Sequence, residues 1–102
     1  MIPVIEQHRA ELARLCRRFK ARRLAVFGSA VKGNFSSDRS DLDFLVTLDA
    51  APPGEYAENY FGLAIGLEEL FRRRVDLVTE QSIRNPYFRE EVEETQELVY
   101  ES

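Results

Sequence analysis

The chain has 102 residues, 44% of them hydrophobic and 31% charged, with a formal net charge of −4. That composition fits one modest globular domain over residues 1–102, and the acidic balance argues against binding long nucleic acids, which draws on a surplus of Lys and Arg. Cys16 alone allows no intrachain disulfide or Cys-rich zinc site, no apolar run nears the roughly 20 residues of a membrane span, and MIPVIEQHRAEL is no signal peptide, so a cytoplasmic location without a membrane is expected.

Ile5, His8, Leu12, Leu15, Cys16 and Phe19 recur at helical spacing, and Pro3 suits a helix start. Arg17, Arg18, Lys20, Arg22 and Arg23 then crowd the end of this predicted helix, where cations complement the macrodipole. His8 and Cys16 lie on or beside the apolar arc and read as packing residues. Leu24–Phe27 is short and wholly apolar, as expected of a strand covered on both faces. Gly28 ends it, Ser29 to Lys32 leaves room for about one helical turn, and Gly33, Asn34 and Ser36-Ser37-Asp38 predict a loop.

The next strand is expected over Asp41–Leu48. Alternation puts Asp41 and Asp43 on one face, their Cα atoms about 6.5–7 Å apart. After the break at Pro52-Pro53-Gly54, Tyr56, Tyr60, Leu63, Ala64, Leu67, Leu70 and Phe71 mark a helix whose stripe faces the sheet. Gly62 and Gly66 cost that helix about 1 kcal/mol each relative to Ala, which points to a close approach of the helix to the sheet or to a ligand. Arg72, Arg73 and Arg74 close it. Val75–Val78 predicts a third strand with Asp76 inside an apolar run, where burial is costly unless the carboxylate is paired or bound to metal. Asn85-Pro86 opens a last helix with a thin apolar face (Phe88, Val92) and an acidic one (Glu90, Glu91, Glu93, Glu94, Glu97), and Leu98-Val99-Tyr100 predicts a final short strand or a tether.

The expected architecture is α/β, a small mixed sheet with helices packed against one face. The chemistry concentrates at strand ends. Asp41, Asp43 and Asp76 are hard oxygen donors able to share two Mg²⁺ ions, the arrangement that serves in-line displacement at phosphorus. Gly28 lets backbone approach a phosphate, Ser29 offers a hydroxyl beside helix-start amides, and Lys32 can neutralise further phosphate charge. Rival motifs fail on spacing. GSAVKGNF lacks the Gly-Lys-Ser/Thr of a P-loop, and an EF-hand starting at Asp38 would place Asp43 where Gly is required.

FGSAVKG, a loop, SDLDFLV and a lone aspartate in the following strand resemble the nucleotidyltransferase superfamily that includes DNA polymerase β. The small size is similar to that of the minimal nucleotidyltransferases (MNT), commonly the antitoxin half of HEPN–MNT toxin–antitoxin pairs. The resemblance implies the nucleotidyltransferase fold, with Gly28 and Ser29 on the β- and γ-phosphates. It also implies Asp41 and Asp43 on the metals, and Asp76 completing the site and helping to deprotonate the acceptor. Lys32 stands where arginine is frequent in the family, which keeps the charge but loses bidentate geometry, and Ala30 and Val31 make the turn less polar. The implied reaction transfers AMP from ATP to a tyrosine of a HEPN ribonuclease, releasing pyrophosphate, and the acidic last helix with Tyr56, Tyr60 and Tyr87 is compatible with a basic partner protein. Two other readings stay open: a non-catalytic module that neutralises a toxin by contact, and transfer to a small molecule or an RNA end.

Overall fold

The computed structural model describes residues 3–32 and 41–102, without the side chains of Ser29 and Lys32; the predicted loop of Gly33, Asn34 and Ser36-Ser37-Asp38 lies outside the described residues. Four strands, β1 (Ala21–Phe27), β2 (Leu42–Leu48), β3 (Val75–Thr79) and β4 (Glu97–Glu101), form a sheet in the order β3-β2-β1-β4. β1 pairs antiparallel with β2 and β4, and β2 pairs parallel with β3, so the sheet is mixed as expected. Its apolar run Leu24–Phe27 is fully buried, which suits a strand flanked on both edges and covered on both faces. β1 nevertheless begins earlier than that run. Lys20 turns the chain with φ 62°, and Arg22 and Arg23, read from the sequence as helix-end cations, are strand residues. Arg22 faces Asp49 at 3.6 Å and Lys20 faces Glu55 at 3.9 Å.

The helices are α1 (Pro3–Gln7), α2 (Arg9–Arg18), α3 (Ser29–Lys32), α4 (Pro53–Phe71) and α5 (Pro86–Thr95). The single N-terminal helix expected from the spacing is two, because the helical path breaks at His8 (φ −119°, ψ 21°). His8 meets the Phe71 ring edge-on at 5.5 Å, and Cys16 is buried, its thiol pushed up to about 12 chiefly by desolvation. Both are packing residues. The glycines of α4 do mark a close approach, but to α2 rather than the sheet. A Cβ on Gly62 would collide with the Phe19 ring, and one on Gly66 would sit 2.7 Å from Leu15 Cδ2. Asn85 caps α5 by accepting from Tyr87 N at 2.8 Å and Phe88 N at 3.3 Å, with Pro86 in the first turn.

Alternation along the strands divides the side chains between two faces. Leu24, Val26, Leu42, Phe44, Val46 and Leu77 join Leu12, Cys16, Leu63, Leu67 and Phe71 in the main core under α2 and α4. The opposite face was expected to carry no helix, yet it does. Phe27, Leu45, Ile83 and Val92 form a smaller buried cluster there, with Val78 and Phe88 against it, so α5 and the 3-10 turn Glu80–Ser82 roof part of that face. Phe88 and Val92 supply enough apolar contact for this because the sheet offers Phe27, whose ring meets Phe88 edge-on at 5.9 Å. What α5 leaves uncovered is the end of the sheet where β1 stops and β2 begins.

Candidate active site

Register aligns the acidic residues. Phe27 on β1 lies opposite Asp43 on β2, and Asp43 lies beside Asp76 on β3. Cross-strand partners share a face, so Asp43 and Asp76 stand together on the side away from the main core, with Gly28 one residue beyond Phe27. The two carboxyl groups are close enough to hydrogen-bond to each other. Asp41 sits just before β2, half-buried, and its charge also acts on Asp43. Asp76 departs from expectation: it is exposed rather than buried in a core strand. β3 is an edge strand, so only Val75 and Leu77 need cover, and the burial cost inferred for Asp76 is not incurred.

Gly28 is the geometric hinge of the site. Its φ is +79°, a conformation that disfavours side chains, and a Cβ there would lie 2.7 Å from Asp43 Oδ2. A hydrogen would be all that separates the turn from the carboxylate. α3 follows at once, and its Ala30 is buried. The Ser29 hydroxyl and the Lys32 ammonium belong to side chains outside the described residues.

Sequence reasoning missed two contributors, both on α5. Thr95 Oγ1 accepts from Gly28 N at 3.1 Å and donates to the carbonyl of Glu91 at 2.8 Å, which ties the turn to the helix. Glu91 lines the same depression, and its charge reaches Asp43. Phe88, Glu91, Val92 and Thr95 share one helical face, in a segment read from the sequence as a thin apolar contact (Phe88, Val92) beside an acidic side compatible with a basic partner. Tyr60 was read both in the sheet-facing stripe of α4 and, with Tyr56 and Tyr87, as an exposed aromatic open to a partner. Its ring packs on the core fringe, as does that of Tyr56, and its hydroxyl donates to the Leu77 carbonyl. Burial, then the charge of Asp76, pushes the Tyr60 phenol up. Tyr87 is 81% exposed, as expected.

These groups surround an open depression of about 580 Å³ whose lining includes Gly28, Asp43, Asp76, Glu91, Tyr60 and Phe61. Its described carboxylates act on one another. Desolvation first, then Asp76, Asp41 and Glu91, lifts the Asp43 carboxyl from 3.8 to about 6. A carboxyl group whose ionisation is opposed by burial and neighbouring acids, with a side-chain-free turn against it, fits a hard cation and an anionic ligand. Among the described residues no group of three or more His, Cys, Asp or Glu side chains is disposed as a ready metal cage. Mg²⁺ needs none, since it is commonly held by one or two carboxylates with substrate phosphates supplying the rest.

Comparison with known proteins agrees with this geometry. A family model described as a nucleotidyltransferase domain matches residues 9–99. The protein adenylyltransferase MntA of Thermococcus cleftensis is 35% identical over 82 residues, covering 80% of this chain and 76% of that protein. Among solved structures, one described as a candidate minimal nucleotidyltransferase superposes with a TM-score of 0.73 at 33% identity, covering 94% of this chain and 93% of the other. A tri-AMPylated Shewanella oneidensis HEPN toxin in complex with its MNT antitoxin matches with a TM-score of 0.63 at 20% identity, covering 96% and 73%; that likeness is one of fold.

Proposed function

The chain belongs to the nucleotidyltransferase-domain family of enzymes, and from that premise we propose that it transfers AMP from ATP to a tyrosine hydroxyl of a HEPN-family toxin, acting as the antitoxin of the pair. The observation that carries the proposal is the pair Asp43–Asp76, aligned by register across β2 and β3, with the Gly28 turn that follows β1 set against Asp43. A turn without a side chain adjoins a pair of carboxylates that gain from a cation. The protein acceptor is supported by relatives: an MntA named as a protein adenylyltransferase, and an AMPylated HEPN toxin seen with an MNT antitoxin.

In this reading the Gly28–Ser29 turn cradles the β- and γ-phosphates, and Lys32 adds countercharge. Thr95 occupies the Gly28 N–H, which fixes the turn while leaving the following amides to the phosphate. Asp43 and Asp76, with Asp41, would hold Mg²⁺, which when bound offsets phosphate charge and makes a hydroxyl easier to deprotonate. The acceptor oxygen attacks the α-phosphorus, a new O–P bond forms, the α–β bridging P–O bond breaks, and pyrophosphate leaves. Asp76, exposed at the edge of the row, takes the acceptor's proton.

The test uses ATP labelled at the α-phosphate, Mg²⁺ and the HEPN-family protein encoded by the same organism. Label is expected on a tyrosine of that protein, none from γ-labelled ATP, and a loss of at least about 10²-fold in Asp43→Asn and Asp76→Asn. Wild-type protein that leaves the HEPN protein unlabelled while protecting cells from it would overturn the transfer and favour neutralisation by contact.

A further inference from the structure

The site has a direction. Strand order places Gly28 at the end of β1, Asp43 on β2 and Asp76 on the edge strand β3. If the triphosphate rests on the Gly28 turn and the α-phosphorus near Asp43, the attacking hydroxyl must arrive from the side of Asp76, over the β3 edge. That side is walled by α4, whose Tyr60, Phe61 and Ala64 line the depression beside Val75 and Leu77.

α4 carries an anomaly there. Phe61 and Ile65 are 60% and 57% exposed, and exposed Ala57 precedes them at the same four-residue spacing. Positions i, i+4 and i+8 form one continuous ridge, about 12 Å long at 1.5 Å per residue. Phe61 belongs both to this ridge and to the wall of the depression, braced by an edge-on contact with Tyr60 at 5.1 Å. Ala57 and Ile65 lie outside the depression. A small acceptor seated beside Asp76 would leave them bare.

We infer that this ridge, Ala57–Phe61–Ile65, is the docking surface for a protein acceptor, which lays an apolar patch along α4 and passes its hydroxyl side chain past Phe61 to Asp76. The inference rests on the transfer reading of the preceding section. Charge selects the class of partner. Exposed Glu58, Glu68 and Glu69 flank the ridge, with exposed Arg72 at its C-terminal end; this border is net acidic, so it disfavours a phosphate backbone and matches a protein patch rimmed by Lys or Arg. The spacing suits a helix packed against α4.

The experiment compares wild-type protein with Ile65→Glu and Ala57→Glu, both outside the depression. The probe is the same HEPN-family protein, with binding measured by calorimetry and transfer by α-labelled ATP. Each substitution is expected to weaken binding and raise the KM for the HEPN protein by at least about tenfold, with the KM for ATP and the thermal midpoint unchanged; Ile65→Val restores wild-type values. Transfer that proceeds in both charged variants with an unaltered protein KM overturns the docking surface and leaves the transfer reading intact. Binding that depends on Ile65 without any transfer keeps the surface and removes the transfer reading. A wild type that binds no HEPN protein, labels RNA insensitively to Ile65, or dimerises through the ridge in sedimentation overturns the inference.

Discussion

Asp43 stands where three other carboxylates act on it, and the sign of its titration follows from that. The group ionises at 3.8 when unperturbed and at about 6 in the folded protein, after burial and the charges of Asp76, Asp41 and Glu91 have acted. Between those values the folded state holds a proton that the unfolded chain has lost. The resulting stability is present below the lower value and is lost as pH rises through the upper one. With metal chelated, the thermal midpoint of the wild type, measured against Asp43→Asn, is expected to fall across this window and to lie below the variant's at neutral pH. Solvent access to the half-buried carboxyl keeps the effect modest. Added Mg²⁺ should raise the wild type selectively. Calorimetry across the window checks this, and a difference independent of pH would mean that the carboxylates do not sense one another. The meeting of Asp43 and Asp76 could be anticipated from the sequence, because each is a lone acid in an otherwise apolar strand and both strands feed one sheet. Thr95 and Glu91 could not, because a Glu-rich helix does not reveal which of its acids turns inward until Phe88 and Val92 are seen to pack on Phe27 and its neighbours.

At the level of elements, the contact between α2 and α4 separates two glycines that look equivalent in the sequence. Replacing either with Ala gains about 1 kcal/mol of helix propensity. At Gly62 the new Cβ meets three atoms of the Phe19 ring, a flat body that cannot yield by a small torsion. Overpacking of that kind costs about 1–3 kcal/mol and should prevail. At Gly66 the near atom is the Leu15 Cδ2 methyl, at the far end of a flexible side chain, so relaxation should nearly cancel the clash. Urea denaturation is expected to show Gly62→Ala destabilised and Gly66→Ala close to wild type; the reverse ranking would contradict the packing described. That these glycines mean close approach was readable from the sequence. Their partner was not, because helix–helix and helix–sheet contacts place the same demand on a glycine. The break at His8 was equally hidden, since the apolar spacing runs through it unchanged.

Over the whole molecule, the sheet separates two cores of unequal strength. Among the described residues, the α2/α4 face buries seventeen residues in one cluster and the α5 face four. The element order and the mixed sheet could be read from the chain because each strand carries its own pattern. The second layer could not, because α5 is rich in Glu and holds its place through a few contacts. Those contacts are the ones that reach the site: Phe88 on Phe27, and Thr95 on the Gly28 turn. Local opening should therefore begin at α5, while β4, paired to the central strand β1, keeps both ends of the fold joined. Amides of residues 86–95 are expected to exchange hydrogen faster than those of 9–18 and 63–71. A nucleotide resting on the Gly28 turn binds the closed form and so must oppose that opening. Hydrogen exchange with and without Mg²⁺ and a non-hydrolysable ATP analogue should show added protection in 86–95 of wild type and much less in Thr95→Val, with Thr95→Ser intermediate or restored. Equal protection in all three would mean that the turn does not report its ligand to α5 through that hydroxyl.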